Sequence, residues 1–266
     1  MPVSRVMETL VSGMIANQER HEAISNNLAN VNSIGFKKDV HATTSFSAVL
    51  SDVQGKRQVQ QSLTDNIYRT TVGRDTKAYT RAIKTSHTQG DMRITGNNFD
   101  LSLMGEGFFS IQTDHGIEYT RNGSFMLNSK NELITPQGNI VLGVGSQETE
   151  GIPIIIDGNN VTFLNDGTVN VDGVPVGQLR IVDFDDYTNL RKVGSSLFAY
   201  DGSEDGIMSA GSFFVEQGSL ESSNVNSLSE MTAMLFNTRH FEMSGRSIKA
   251  VEQTINRAIA ELGKLK

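Results

Sequence analysis

The chain has 266 residues, enough for one large domain or two ordinary ones, and its 37% hydrophobic and 20% charged content with 25 glycines and only 4 prolines describes a folded, turn-rich protein. A formal charge of -7 excludes the basic footprint that nucleic acid or an anionic membrane surface requires. The absence of cysteine excludes disulfides, thiolate metal sites and a cysteine nucleophile.

Near the N-terminus, Val3, Met7, Leu10, Met14, Asn17, His21, Ile24, Leu28 and Val31 recur at alternating spacings of four and three, one face of a long amphipathic helix. The segment has neither an uninterrupted apolar h-region nor a small-residue cleavage site, so it is not expected to be a cleaved secretory leader. No stretch is apolar enough for long enough to span a bilayer as a helix. Asn17 and His21 interrupt the seam, as register-setting polar residues do. No second His or carboxylate is spaced to make a metal site with His21. After Leu28 comes "NVNSIGF", in which Asn30 and Asn32 tolerate left-handed backbone and Gly35 is placed as a helix stop.

Residues 39–90 are polar and weakly periodic, an extended connector with isolated strands. Residues 91–218 change character. Short β-rich runs such as "FDLSLMG", "GFFSIQT", "NIVLG", "IPIIID" and "QLRIVDF" alternate with the turn pairs Asn122-Gly123, Asp157-Gly158, Asp166-Gly167 and Asp172-Gly173, which predicts an antiparallel β domain built from hairpins.

Chemistry-bearing patterns are sparse. Asp183, Asp185 and Asp186 in "VDFDDYT" lack the ligand spacing, central glycine and closing glutamate of a calcium loop. Gly105 and Gly107 in "MGEGFF" lack the rest of a phosphate loop and read as turn glycines. The five histidines, His21, His41, His87, His115 and His240, are scattered, and no nucleophile elbow accompanies them. No catalytic, cofactor or metal residue is therefore assigned. The rival reading is a glycan-binding or hydrolytic β domain using Asp183, Asp185 or Glu118 as its acids.

Over residues 219–266 the row Met234, Phe241, Ile248, Ile255 and Leu262 keeps a seven-residue spacing beside Asn237, Ser244, Val251, Ala258 and Leu265. Ser227 followed by Glu230 reads as a capping box that opens this helix. The tetrapeptide "NVNS" that ends the first helix thus recurs where the last one begins. The expected fold is α+β: residues 1–38 and 219–266 form helices paired as an antiparallel coiled coil, with Leu10, Met14, Ile24, Leu28, Met234, Phe241, Ile248, Ile255 and Leu262 as packing residues and the β domain inserted between them.

Three long stretches, "SNNLANVNSIGFKK" at 25–38, "GEGFFSIQTDHGIEYTRNGSFMLNSKNELITPQGNIVLG" at 105–143 and "GSLESSNVNSLSEMTAMLFNTRHFEM" at 218–243, resemble the signatures of the bacterial flagellar rod and hook family, in the expected order. The resemblance implies a non-enzymatic axial building block of the basal body in the periplasm. It would be exported without a cleaved leader by the flagellar type III apparatus and stack with copies of itself and with other rod subunits through its terminal helices. It carries Asn27, Leu28, Ala29, Asn30, Asn32, Gly35 and Phe36 into the N-terminal motif, and Ser223, Asn224, Val225 and Asn226 into the C-terminal one, all with structural roles. The run Thr238-Arg239-His240-Phe241-Glu242-Met243 and the absence of tryptophan resemble proximal-rod members more than distal-rod or hook members.

Overall fold

Both periodic segments fold as helices in the computed structural model, α1 over Pro2–Ala29 and α2 over Ser227–Gly263. The structure describes residues 2–45, 78–145, 151–158, 160–194 and 196–263. Most of the expected connector, 46–77, lies outside them. The chain divides into two compact units. The first comprises Met1–Leu28, Asp39–Lys84 and Ser227–Lys266, and the second comprises Ala29–Lys38 and Thr85–Asn226.

The expected fold class needs correction. Among the described residues strand outweighs helix, 38% to 29%, so the protein is mainly antiparallel β with two helices, both in the first unit. The helices are not zipped into a coiled coil. They meet at polar points, where the Asn237 side-chain amide donates to the Asn17 carbonyl at 2.8 Å and Asn27 Nδ2 donates to Glu230 Oε2 at 3.5 Å. Between them lies a pocket of about 260 Å³ lined by Asn17, Gln18, His21, Asn237, Thr238 and Phe241, where a knobs-into-holes seam would leave no such space. Ile24 is buried, and Leu10, Met14, Leu28, Met234, Ile248 and Ile255 are half-buried. Phe241 is exposed, and the side chain of Leu262 lies outside the described residues. A seven-residue repeat marks a helix face that wants a partner; it does not specify which one. Strands β1 (Asp39–Ser45) and β2 (Ala78–Thr85) pair as a small sheet.

The second unit is built from short strands in chain order: β3 (Met92–Ile94), β4 (Leu101–Gly105), β5 (Phe108–Thr113), β6 (Gly116–Thr120), β7 (Met126–Leu127), β8 (Leu133–Ile134), β9 (Ile140–Val144) and β10 (Gly151–Pro153). There follow β11 (Val161–Phe163), β12 (Thr168–Val171), β13 (Val174–Gln178), β14 (Ile181–Phe184), β15 (Leu190–Gly194), β16 (Leu197–Tyr200), β17 (Ile207–Ser209), β18 (Phe213–Gln217) and β19 (Ser219–Glu221). The main sheet runs β15-β16-β6-β5-β9-β8-β7, with β14 also on β5, β17 on β14 and β10 on β9. The hairpins β11-β12-β13 form a separate sheet, and β18 with β4 and β19 with β3 make two-stranded ones.

Turn chemistry explains the β11-β12-β13 meander. Asp172 and Gly173 both hold positive φ, 50° and 85°, as the tight turn between β12 and β13 requires, and Gly167 supplies φ 83° between β11 and β12.

β5 organises the interior. Phe109 and Ile111 join Leu101, Leu133, Val141, Val169 and Val215 in the larger core. Phe108 joins Tyr119, Val182, Phe184, Leu190 and Phe198 in a smaller aromatic cluster. Alternating side chains of one central strand thus seed two apolar clusters.

Phe109→Ala is expected to lower unfolding free energy by about 3–5 kcal/mol, because Phe109 is fully buried. Phe236→Ala, on the exposed face of α2, is expected to cost less than about 1 kcal/mol. Urea denaturation of the monomer measures both, and equal losses would contradict this placement of the core.

Candidate functional site: the buried junction of the two motif copies

The two copies of the repeated tetrapeptide begin in the same unit, and their flanks meet there. The Gly35 N–H donates to the Glu221 carbonyl at 2.8 Å, and the Asn224 N–H donates to the Phe36 carbonyl at 3.3 Å. The left-handed backbone falls on Gly35, with φ 64°, rather than on Asn30 or Asn32. A Cβ there would stand 2.4 Å from the Asn122 amide nitrogen, so both conformation and space demand glycine.

Beneath this contact is an ion cluster. Lys37 Nζ lies 2.5 Å from Glu221 Oε1, and both side chains are 0% exposed. Arg121 Nη1 approaches Glu221 Oε2 at 3.6 Å. Lys37 Nζ also donates to the Thr88 carbonyl at 2.9 Å, and Arg121 donates to the carbonyls of Leu103 and Gly105 at 3.2 and 2.8 Å, while among the described residues Arg121 Nε and Glu221 Oε2 have no hydrogen-bond partner. The Gly90 N–H donates to Glu221 Oε1 at 2.8 Å, and a side chain at 90 would collide with the Ser222 carbonyl at 2.0 Å. Arg121 also lies over the Phe108 ring at 5.1 Å, which joins the cluster to the aromatic core. Burial pushes both the Lys37 ammonium and the Arg121 guanidinium below their ordinary pKa values, and the Glu221 carboxylate opposes that fall.

Two asparagines of the motifs act as backbone clips. In the first unit, the Asn27 side chain exchanges two hydrogen bonds with Asp39, donating to its carbonyl and accepting from its N–H, each at 2.8 Å. In the second unit, Asn224 Oδ1 accepts from the Lys38 N–H at 2.7 Å, while its Nδ2 donates to the carbonyls of Ser86 and Thr88 at 2.9 Å. A side-chain amide offers the same donor and acceptor as a peptide group, so it can pair segments that have no regular sheet register.

The other expected motif positions are placed as follows. Phe36 is buried under the Lys192 ammonium, 4.2 Å from the ring centre. Val225 is buried, Leu28, Asn30 and Ser223 are half-buried, and Ala29, Asn32 and Asn226 are exposed. Glu230 lies in the first turn of α2, buried against Asn27. Lys37, Glu221, Arg121 and Gly90 were not singled out by sequence reasoning. Their only signal is adjacency of two charged residues to the motif copies, in "GFKK" and "SLESS".

The acids of the rival reading have local structural partners. Asp183 accepts from the Tyr187 hydroxyl at 2.6 Å, and burial together with this bond raises the Tyr187 pKa above its ordinary value. Asp185 accepts from the Tyr200 hydroxyl at 3.3 Å, and Asp186 caps the short turn Tyr187–Asn189. Glu118 is buried on β6 opposite Ile111.

Glu221→Gln leaves two buried cations without a counter-charge and is expected to destabilise the protein by about 3–5 kcal/mol in urea denaturation. The Lys37 contribution carries a pH signature. With its folded pKa below the ordinary 10.5, the unfolded chain binds this proton more tightly. Stability from this group therefore rises as pH climbs through the folded value toward 10.5. The stability of the parent relative to Lys37→Met is expected to increase between neutral and alkaline pH, and a difference that falls would refute the assignment.

Comparison with known proteins converges on one family. Residues 7–37 match "Flagella basal body rod protein", 102–171 match "Flagellar hook protein FlgE/F/G D1 domain", and 216–261 match "Flagellar basal body rod FlgEFG protein C-terminal". FlgG of Borreliella burgdorferi is 33% identical over 268 residues, 94% of this chain and 96% of that protein. The hook-basal body complex protein FlhO of Bacillus subtilis is 31% identical over 276 residues, 97% of this chain and 98% of that protein. FlgF of Caulobacter vibrioides is 29% identical over 245 residues, 92% of each. The first and last matched segments contain the two "NVNS" copies whose flanks enclose the ion cluster, and with near end-to-end similarity to such relatives the chain belongs to the flagellar basal-body rod and hook family.

Proposed function

We propose that this protein is a non-enzymatic structural subunit of the flagellar basal-body rod, polymerising through its terminal helices into the axial shaft that transmits torque and surrounds the export channel. The observation that carries this reading is the apolar face of α2. Leu228, Met231, Leu235, Phe236 and Met243 are all exposed, Leu235 by 64% and Phe236 by 59%. Full burial of each such side chain against a neighbour contributes about 1.5–3 kcal/mol. A long helix that keeps this much apolar surface in water is built to be covered on assembly.

The subunit's partners are copies of itself and other rod proteins, after delivery by the flagellar type III apparatus. Within the rod we assign it the proximal, FlgF-like position, on the Phe241-Glu242-Met243 run and the absence of tryptophan. Similarity to FlgG proteins favours the distal rod as the second reading. Cryo-electron microscopy of basal bodies separates the two by where along the axis this chain's density lies.

Leu235→Asp is expected to abolish swarming in soft agar while leaving the monomer's urea midpoint nearly unchanged, since the side chain is exposed before assembly. Full swarming by this variant would refute the role given to α2.

A further inference from the structure

The register of the second unit brings to one face two polar side chains that have unpaired buried atoms among the described residues. β14 pairs with β5 so that Ile181 stands opposite Phe109, and the Ser110 N–H donates to the Arg180 carbonyl at 3.1 Å, placing Arg180 opposite Ser110. Tyr119 faces Ser110 from the other side, on β6. Phe109 and Ile181 point into the larger core, so the alternate residues Arg180, Ser110 and Val182 share the opposite face.

On that face is a cavity of about 660 Å³ whose lining includes Arg180, Tyr119, Tyr200, Val182, Ile207 and Met208. Arg180 is only 8% exposed, and Ser110, its neighbour in register rather than part of the lining, is 0% exposed; among the described residues Arg180 Nε and Nη1 and Ser110 Oγ have no hydrogen-bond partner. Among the described residues no carboxylate lines the cavity. A buried guanidinium without a counter-charge is a costly arrangement, and its planar set of donors matches a carboxylate. The cavity has the volume of a small-ligand site.

We propose that this cavity is a carboxylate-binding site, filled in the assembled rod by an acidic side chain of a neighbouring axial subunit. The choice of source rests on the axial reading above, and on charge: each copy carries 30 acidic residues and a net charge of -7, so neighbours present carboxylates to one another. Met208, exposed at the rim, offers an apolar surface to the stem of a glutamate.

The test titrates the ¹⁵N-labelled full-length monomer with N-acetyl-glutamate amide, and with N-acetyl-glutamine amide as the neutral control. It follows the Arg180 Nε–H resonance, assigned by its disappearance in Arg180→Met. A shift with the acid alone is expected; no shift, or the same shift with both, overturns the site. This result does not depend on the rod reading, which Leu235→Asp tests separately. Thermal unfolding of Arg180→Met is expected to match or exceed the parent, because an uncompensated buried charge is removed. A midpoint several degrees lower means that the chain already satisfies the guanidinium, and the proposal falls. In cells, Arg180→Met is expected to lose swarming. Normal swarming alongside a positive titration assigns the pocket to a free small carboxylate and overturns the neighbouring-subunit source.

Discussion

The ion cluster of Lys37, Glu221 and Arg121 is the constraint to which the rest of the second unit is fitted. Three ionised side chains can be buried together only when nearly every donor and acceptor has a partner in good geometry. Lys37 comes from just after the first motif copy, Glu221 from just before the second, and Arg121 from the loop after β6. The cluster therefore cannot form until segments 184 residues apart in sequence are in register. That requirement fixes Gly35 and Gly90, whose missing side chains let backbone approach backbone. It also fixes Asn224, whose amide ties Lys38 to Ser86 and Thr88 beside the direct bond from the Ser86 N–H to the Lys38 carbonyl.

The two copies of "NVNS" do not repeat one structure: Asn224 opens the second as a backbone clip, whereas in the first Asn30 Oδ1 accepts from the Ser33 hydroxyl and the clip is Asn27, three residues upstream. The chain passes between the two units four times, near residues 28, 38, 84 and 226. Near such a passage a side-chain amide can supply the donor and acceptor of a peptide partner. Asn27 does so for Asp39 in the first unit, and Asn224 does so for Lys38 in the second. The adjacent residues Lys38 and Asp39 are thus held by different amides, one in each unit. Asn27 and Asn224 serve through their two-sided amides, and the left-handed backbone falls on Gly35, two residues beyond the first copy.

The elements most legible in the sequence were those with a local cause. The helix faces followed from 3.6-residue periodicity, and the Asp166-Gly167 and Asp172-Gly173 turns from their demand for positive φ. The coiled-coil reading failed because periodicity reports that a face is apolar without reporting what covers it. In the middle of the supposed seam the Asn237 side chain donates to the Asn17 backbone carbonyl instead of merely punctuating apolar packing. The ion cluster was illegible for a different reason. A lysine beside a phenylalanine and a glutamate beside a leucine are ordinary surface patterns, and only the sheet register and the glycine contacts bring Lys37 and Glu221 to 2.5 Å.

The same contrast separates the two kinds of exposed or unsatisfied group that the fold leaves open. In the second unit, the backbone is pinned by the cluster and by β5, so the placement of Arg180 opposite Ser110 is a consequence of register rather than of side-chain choice. In the first unit, α2 carries its own backbone hydrogen bonds, and the hydroxyls of Thr232, Thr238, Ser244, Ser247 and Thr254 each return to the carbonyl four residues back. The helix thus satisfies these hydroxyls along its own length, with Glu230 and Asn237 bonded to α1, although Leu235 and Phe236 remain in water. What such a helix lacks is only apolar cover. Apolar cover is non-directional, and it is the least specific thing a subunit can ask of its neighbour. Specificity in an assembly of related chains must then come from directional groups, and a buried guanidinium awaiting a carboxylate is directional where a row of leucines is not.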